Sequence, residues 1–510
     1  MVQDIFSGLQ TILSFESLLA ILLGVLYGMI VGAVPGLSVS MGTALVVPFT
    51  YYMSPSVAIP FLLGIYKGGV YGGSIPAILI STPGAGGSIA TMLDGYPLSR
   101  QGRSKTAIQM SLYASFLGDL LGSIFTILVA ARVAKLATAI GRPDFFAILF
   151  FSLFIISVAT SENAVKGLVS GALGLLLSTI GTDVGGRSRF TFGNARLMSG
   201  LSFIPLIIGL FAFSVIMEHI VAGRRGEKEE RERREQMAKF TKNDRLHWHE
   251  LRKTMPTMLR STCLGAFIGI VPGIGQPIAS LLGYSVGKKL SKEPEKYGKG
   301  SLDGLAACEA ANNAVNGPAL IPLLGFGIPG DTGTAIILGA LTAQGLRPGM
   351  AMFRDEASVT YGILLSMVVA CIFLLIAGYF LSGVFAKISY VPMKILIPVI
   401  FALAVSGSFA VSNSLLDVFI MIAFGVLGFL MKKFKFPRAP LAICFLLGHD
   451  IEYSLTQSMI LFDGNILKFT SYPIATAFIC LTFVLLIAPF VIKVIKNRKQ
   501  KKQNADSEAK

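Results

Sequence analysis

Long apolar stretches recur from one end of this sequence to the other, and they restrict the chain to one structural class. A membrane-spanning helix needs about 20 mainly apolar residues. Lipid offers the backbone no hydrogen-bond partner, so stretches of this kind must be helical. We therefore predict an all-α polytopic membrane protein with about 10–12 transmembrane helices plus re-entrant or broken helices. The apolar stretches lie at residues 18–34, 107–131, 145–160, 200–221, 358–386, 391–410, 415–431 and 473–494.

The placement of charge agrees with this class and argues against nucleic-acid binding. Charged residues make up 14% of the chain, compared with roughly 25% in an ordinary soluble domain. Much of the net charge of +16 lies in residues 223–260 and 493–510. Basic segments beside spanning helices stay in the cytoplasm. We expect a basic cytoplasmic linker at 223–260 and a basic cytoplasmic tail at 493–510. The linker separates an N-terminal membrane repeat, 1–222, from a C-terminal membrane repeat, 261–492, and the tail follows the second repeat.

The sequence lacks the motifs of several enzyme classes. Its five cysteines are scattered without metal-ligand spacing, which is typical of buried free thiols. The glycine-rich strings at 68–73 and 325–333 lack the ending of a phosphate loop, and no nucleophile elbow or zincin motif occurs. We expect no enzymatic activity, no cofactor and no ATP-driven transport by this chain alone. The N-terminus has no basic n-region or cleavage site, so we expect the first apolar stretch to be retained.

The two halves share three motifs in the same order, which predicts an internal duplication. Each half contains a Gly-x-Val-Pro-Gly motif, then Ile-Pro followed seven residues later by Pro-Gly, then Gln-Gly. The motifs lie at 32–36 and 269–273, at 75–84 and 321–330, and at 101–102 and 344–345.

The distribution of basic residues predicts that the two repeats are inverted. The N-terminal stretch contains Asp4 and Glu16 but no Lys or Arg, so it should lie outside. The second half begins after the basic linker and therefore inside. Repeats that begin on opposite faces are inverted.

Most of the remaining connecting segments follow the same alternation. This alternation places three segments inside, 100–105, 387–394 and 432–438, and two outside, 347–356 and 450–463. Two segments, 132–142 and 187–196, are basic although they fall outside by the same count. The number of helices between 107 and 222 therefore stays open.

Pro and Gly interrupt the apolar segments at corresponding points of both halves. Proline removes a backbone donor, and glycine makes the backbone flexible. In lipid such breaks are tolerated only where the freed groups are buried in protein or line a wet cavity. Paired broken segments in a duplicated membrane protein indicate a transport site near the bilayer midplane. Helices that restart after Pro-Gly direct free N–H groups and positive dipole ends at that site, which favours anions such as carboxylates.

The candidate substrate-binding residues follow these breaks or lie in polar stretches at membrane depth. Ser and Thr at such positions also cap helices, and Lys67 could instead be a structural or snorkelling cation. Asparagine amides offer donors and acceptors to a ligand, or they hydrogen-bond neighbouring helices. The candidates are Pro35, Gly36, Ser38, Ser40, Lys67, Ser81, Thr82, Gly84, Gly273, Asn312, Asn313, Gly330 and Thr332. A Na⁺ site is predicted near Asn312, Asn316 and Asp331.

At these motifs the sequence resembles the large membrane subunit of the tripartite tricarboxylate transporters. The resemblance covers nearly the whole chain, and the combination of motifs is far more specific than any single Gly-Pro motif. The motifs that carry it are VGAVPGLS at 31–38, YKGGVYGGSIP at 66–76, STPG at 81–84, DGYP at 94–97, EAANN at 309–313 and GIPG at 327–330.

The resemblance implies a three-part importer in a bacterial inner membrane. A periplasmic solute-binding protein would deliver an organic carboxylate to this subunit, which would pair with a small four-helix membrane subunit. Symport with Na⁺ or H⁺ would drive import of tricarboxylates or related anions without ATP. An elevator-like motion is an analogy with other binding-protein-dependent secondary transporters.

Two other functions stay open at the level of sequence. A channel would pass solute down its gradient without a coupling ion. A non-transporting intramembrane enzyme would need a Ser/His or paired-Asp arrangement within its helices, and no such arrangement is evident. The particular carboxylate, the choice between Na⁺ and H⁺, and the oligomeric state are not encoded in any motif.

Overall fold

The computed structural model describes residues 2–159, 163–235, 244–389 and 391–486. Almost all of the regular structure in these residues is helical, which confirms the predicted all-α polytopic class. The helices of the first half are α1 Val2–Ile12, α2 Phe15–Ala33, α3 Val39–Thr50, α4 Pro55–Gly72, α5 Ser74–Ile80, α6 Thr91–Arg100, α7 Ser104–Ala137, α8 Arg142–Ala159, α9 Ala164–Ser178, α10 Phe203–Ile207 and α11 Ser214–Glu235.

The second half has the same helical character, and its first helix begins within the predicted linker, 223–260. Its helices are α12 Trp248–Gly269, α13 Gly275–Leu290, α14 Leu302–Ala314, α15 Leu320–Phe326, α16 Thr332–Ala343, α17 Met350–Asp355, α18 Ala357–Ile388, α19 Met393–Ser412, α20 Leu415–Lys433, α21 Arg438–Leu461 and α22 Pro473–Leu486. Short elements complete the fold. They are 3-10 turns at Gly86–Ile89, Ala195–Ser199, Pro294–Lys296 and Ile466–Ser471, a π-helix at Ile208–Phe213, and a hairpin of β1 Gly181–Thr182 and β2 Ser188–Arg189.

Seven helices in the described residues are long and apolar enough to cross a membrane. They are α2, α7, α8, the continuous segment Phe203–Gly223, α18, α19 and α20. Each of them coincides with an apolar stretch predicted from the sequence. Four shorter apolar helices accompany them, α3, α9, α16 and α22. The last predicted stretch, 473–494, and the basic tail extend beyond the described residues.

Helix α9 was not predicted, and it lies within the region whose helix number was open. It has 15 residues, Ala164–Ser178, and three of its positions are glycine. This length is below the span that the hydropathy argument requires. Leu441 of α21 packs against it so closely that a Cβ on Gly174 would lie 2.3 Å from the Leu441 carbonyl oxygen.

The two halves pass through matching local geometry at their shared motifs. Helices α5 and α15 each have seven residues and end in a left-handed residue, Ser81 and Gly327 respectively. Helices α6 and α16 are followed by Gln101 and Gln344, and the glycine after each glutamine has a φ of +79°.

Helices α2 and α4 pack backbone to backbone through two rows of glycine spaced four residues apart. On α2, a Cβ at Gly24, Gly28 or Gly32 would lie 2.2–2.4 Å from a carbonyl oxygen of α4. On α4, a Cβ at Gly64, Gly68 or Gly72 would lie 2.3–2.8 Å from a carbonyl oxygen of α2. Small residues at this spacing allow membrane helices to approach closely. This pair therefore forms a tightly packed unit of the first half.

We predict that Gly28→Ala destabilises the protein. Its Cβ would lie 2.2 Å from the carbonyl oxygen of Ile65, so α2 and α4 must separate. Overpacking of this kind lowers the free energy of unfolding by about 1–3 kcal/mol. A thermal unfolding series in detergent should show a lower midpoint. The matched control is Gly362→Ala in α18, whose Cβ would have its nearest neighbour at 3.5 Å. Equal midpoints for the two variants would contradict the close packing.

Candidate functional site

Four Pro-Gly pairs interrupt the chain between helices, and we refer to them as the Pro-Gly breaks. Pro35-Gly36 separates α2 from α3, and Pro83-Gly84 separates α5 from the 3-10 turn before α6. In the second half, Pro272-Gly273 separates α12 from α13, and Pro329-Gly330 separates α15 from α16. Gly36 and Gly273 have φ values of +89° and +83°, a conformation that favours glycine.

The two breaks of each half contact each other. In the second half the Gly273 N–H donates to the Gly330 carbonyl oxygen at 2.8 Å. In the first half the Gly84 N–H donates to the Gly73 carbonyl oxygen at 3.0 Å. A Cβ on Gly84 would lie 2.1 Å from the carbonyl oxygen of Gly32, which lies in the last turn of α2, three residues before Pro35. In the second half a backbone group at one break is therefore satisfied by the other break, and in the first half the second break packs against the end of α2.

The halves also meet at the breaks. A Cβ on Gly86 would lie 3.2 Å from Cγ of Pro277. The Tyr66 hydroxyl of α4 donates to Oδ2 of Asp331, the residue after the fourth break, at 2.5 Å. A Cβ on Gly333 would lie 2.6 Å from the Tyr66 ring. The structure thus brings all four breaks into one region that both halves share.

The predicted residues at the breaks differ in exposure. Gly36, Ser38 and Ser81 are exposed, and Pro35, Ser40, Thr82 and Thr332 are half-buried. Gly84, Gly273 and Gly330 are buried. Three of the glycines at the breaks are therefore buried, whereas the residues with hydroxyl groups are exposed or half-buried.

Helices α3 and α16 start at the breaks and are capped by their own residues. Oγ of Ser38 accepts the N–H of Met41 at 3.1 Å, and Oδ1 of Asp331 accepts the N–H of Thr334 at 2.8 Å. These are the capping roles that the sequence offered as the alternative to ligand binding. Each cap satisfies only one of the N–H groups that a helix start leaves free. The Thr82 hydroxyl donates to the Ile80 carbonyl oxygen at 3.3 Å.

A polar network joins α4, α13, the segment after α14 and the start of α16. Nε2 of Gln276 donates to the Tyr66 hydroxyl and to Oδ1 of Asn316, both at 2.9 Å. Tyr66 in turn donates to Asp331. Two of the residues predicted to surround a Na⁺ site, Asn316 and Asp331, are therefore linked through Gln276 and Tyr66. Nδ2 of Asn316 is buried without a hydrogen-bond partner.

Asn312 is the most conspicuous polar residue of the region. Its side chain is fully buried on α14, and neither Oδ1 nor Nδ2 has a hydrogen-bond partner in the structure. It lies against the second break, because a Cβ on Gly87 would be 1.9 Å from its Oδ1. Buried amides are normally paired, so Asn312 lacks the hydrogen bonds that such a group usually makes. Asn313, by contrast, donates to Oγ of Ser115 at 2.8 Å.

Lys67 is paired rather than free. Its Nζ lies 2.6 Å from Oδ1 of Asp119 on α7 and 2.8 Å from Oγ of Ser123, and its side chain is fully buried. It also contacts Sγ of Cys371 on α18 at 3.5 Å. The structure therefore supports the structural interpretation of this lysine, because its charge is balanced by Asp119 within the membrane region.

Sequence reasoning did not single out several residues that the structure places here. Asp119 had a signal, because it is the one charged residue in the apolar stretch 107–131. Tyr66 and Ser115 had none, because their roles depend on contacts with residues of the other half. Thr91, whose hydroxyl donates to the carboxylate of Glu309, belongs to the same group.

Comparison with known proteins identifies one family and two relatives. The sequence profile of the family described as "Tripartite tricarboxylate transporter TctA family" matches residues 18–443. An uncharacterized 52.8 kDa protein of the TAR-I ttuC' 3' region of Agrobacterium vitis is 32% identical over 478 residues, which cover 94% of each chain. An uncharacterized protein of the TAR-II ttuC' 3' region of the same organism is 34% identical over 236 residues, covering 46% of this chain and 98% of that protein. No solved structure matches.

We predict that the Lys67–Asp119 pair stabilises the fold as a unit. Removing one partner leaves a buried charge uncompensated and lowers the free energy of unfolding by about 3–5 kcal/mol, whereas replacing both by apolar residues is close to neutral. Lys67→Met and Asp119→Leu should each lower the yield and unfolding midpoint of detergent-solubilised protein, and the double variant should recover most of the loss. A double variant no more stable than the singles would contradict the pairing.

Proposed function

The chain belongs to the tripartite tricarboxylate transporter TctA family, and from this premise we propose that it is the substrate-translocating subunit of a secondary transporter. In this proposal a periplasmic binding protein delivers tricarboxylates or related organic anions, and symport with Na⁺ or H⁺ drives their import. The observation that carries the proposal is the meeting of the four Pro-Gly breaks. Broken helices at a shared interface are the usual architecture of a substrate site in secondary transporters.

The chemistry of the breaks suits a carboxylate. Helices α3 and α16 begin there, and the start of a helix has free N–H groups and a partial positive charge. Ser38, Ser40 and Thr332 add hydroxyl donors at the same two helix starts. In our proposal these groups bind the anion. Lys67 contributes no free charge, because Asp119 neutralises it.

The amides of α14 complete the proposed site from the second half. Asn312 has both amide atoms available, so it can donate to a carboxylate or accept a cation. Asn316 and Asp331 remain the proposed neighbours of a Na⁺ ion, joined through Gln276 and Tyr66. Substrate and cation would then be bound between the two halves.

We also propose that the two halves are inverted repeats, with the N-terminus outside and the C-terminal tail in the cytoplasm. Helix α9 supports this, because α7, α8, α9 and the continuous segment Phe203–Gly223 are four segments, an even number, as two inner ends require. Contacts between segments support it too, because segments predicted on one side contact each other. The inner contacts are Arg103–Glu250 at 2.7 Å and Lys432–Glu218 at 2.5 Å, and the outer ones are Ser7–Ser358 at 2.9 Å and Arg189–Glu452 at 2.8 Å.

The proposed partners follow from the family. They are a small four-helix membrane subunit and a periplasmic solute-binding protein, together in a bacterial inner membrane. An elevator-like movement of the region around the breaks is part of the proposal by analogy alone. The genes adjacent to this one are the simplest first check, because they should encode both partners.

Reconstitution tests the proposed function. The chain, the neighbouring small subunit and the binding protein are placed in liposomes with labelled citrate or other organic acids. Accumulation above the outside concentration under an imposed Na⁺ or pH gradient is the expected result. Equilibration that ignores both gradients would indicate a channel, and a complete lack of solute movement would contradict transport.

We predict that Gly87→Ala impairs uptake. The new Cβ would lie 1.9 Å from Oδ1 of Asn312 and must displace that side chain. Displacing a substrate-binding group by about 1 Å reduces activity by about a hundredfold. The matched control is Gly86→Ala, whose Cβ would lie 3.2 Å from Cγ of Pro277. Initial uptake rates are compared at equal amounts of folded protein. Equal rates for the two variants would remove Asn312 from the proposed site.

A further inference from the structure

Glu309 lies in the middle of α14, and its side chain is fully buried. Both of its carboxylate oxygens accept hydrogen bonds from the first half of the chain. The Thr91 hydroxyl of α6 donates to Oε1, and the Ser115 hydroxyl of α7 donates to Oε2 at 3.0 Å. This carboxylate therefore connects the two halves beside the Pro-Gly breaks.

The charge of this carboxylate is not balanced within the described part of the chain. No Lys or Arg there forms an ion pair with Glu309, whereas Asp119 on α7, which is also fully buried, is paired with Lys67 at 2.6 Å. An ionised side chain buried at membrane depth is energetically unfavourable without a counter-charge. A cation or a proton bound to the carboxylate would remove this cost.

The groups around Glu309 are oxygen ligands suited to a small cation. The carboxylate is surrounded by the hydroxyls of Thr91 and Ser115. One turn along α14, Asn313 donates to the Glu309 carbonyl oxygen at 3.0 Å, and its own Oδ1 is buried without a partner. Carboxylate, hydroxyl and amide oxygens are the ligands of hard cations. A carboxyl group with hydroxyl neighbours can equally hold a proton.

We propose that Glu309 binds the coupling cation of the transport cycle, a sodium ion or a proton. The inference rests on the proposed function and adds a place where a driving ion acts, distinct from the Na⁺ position proposed near Asn316 and Asp331. Neutralisation of Glu309 changes the interaction of α14 with α6 and α7 across the two halves. Asn312 follows Glu309 by three residues on α14, on the same side of the helix. Binding of a cation at Glu309 therefore affects Asn312, which is part of the proposed substrate site.

Other titratable groups that face Glu309 do not supply the missing charge. Tyr71 of α4 and Cys308 of α14 interact with it electrostatically, and neither is cationic. On α6, Asp94 accepts the backbone N–H groups of Gly298, Gly300 and Ser301 at 2.8–2.9 Å, so it is held by the segment before α14. On α7, Asp119 is paired with Lys67.

The test compares the wild-type complex with its Glu309→Gln variant in proteoliposomes. One arm imposes a Na⁺ gradient at equal pH, and the other imposes a pH gradient without Na⁺. The arm that drives wild-type accumulation identifies the ion. In that arm Glu309→Gln should lower accumulation by about tenfold or more, because cation and substrate binding are no longer coupled. Exchange of internal for external substrate should persist, which shows that the variant is folded and binds substrate.

The outcomes separate the inference from the proposed function. A wild-type complex that moves no organic anion in either arm defeats the proposed function itself. A Glu309→Gln complex that accumulates substrate like wild type, with the same ion dependence, overturns only the role of Glu309. The matched control is Glu293→Gln, an exposed glutamate paired with Lys253 and Lys296. It should leave accumulation unchanged.

A second variant keeps the test decisive if Glu309→Gln does not fold. Ser115→Ala removes one oxygen next to the carboxylate and retains Glu309 itself. The cation concentration for half-maximal uptake should rise by about tenfold, within the range of a typical coupling free energy. An unchanged cation concentration would overturn the site.

Discussion

Inside a membrane protein, buried polar groups have no water to bind, so each of them must find its partner within the protein or in a ligand. This constraint explains most of the polar contacts in the structure. Lys67 and Asp119 neutralise each other at 2.6 Å, and Asp94 is held by three backbone N–H groups. Two exceptions lie on α14, where neither amide atom of Asn312 has a partner and Glu309 has no counter-charge among the described residues. These exceptions mark the place where substrate and cation are proposed to bind.

Close packing through glycine fixes the orientation of α4, which contributes side chains to the region between the halves. The glycines of α4 at 64, 68 and 72 form one face, which packs against the backbone of α2. With one face fixed in this way, the neighbouring residues Tyr66 and Lys67 of the same helix point to different partners. Tyr66 reaches Asp331 in the second half, and Lys67 reaches Asp119 on α7. A single helix thus contributes to the region between the halves and to the stability of the first half.

The two halves contribute different chemistry to the region they share. The first half supplies hydroxyl groups, at Ser38 and Thr91 among others, and the small residue Gly87 that leaves room for Asn312. The second half supplies the amides and the carboxylate of α14. The two halves therefore share helix boundaries, as at α5 and α15, although their side chains differ. In our proposal both ligands contact both halves, because Thr332 joins Ser38 at the anion and Thr91 joins Glu309 at the cation.

The sequence by itself determined the helical class, the position of the long spans and the position of the four breaks. Each of these follows from local composition, because apolar length and Pro-Gly pairs act on the backbone where they occur. It did not reveal α9, whose 15 residues are too short for the hydropathy argument. It also left Lys67 open between a ligand and a structural cation. Only the tertiary structure decided that its partner is Asp119, and that the hydroxyls bound to Glu309 come from the other half. Such pairs join residues 52 to 218 positions apart, and contacts over that separation depend on how helices pack, which no local pattern specifies.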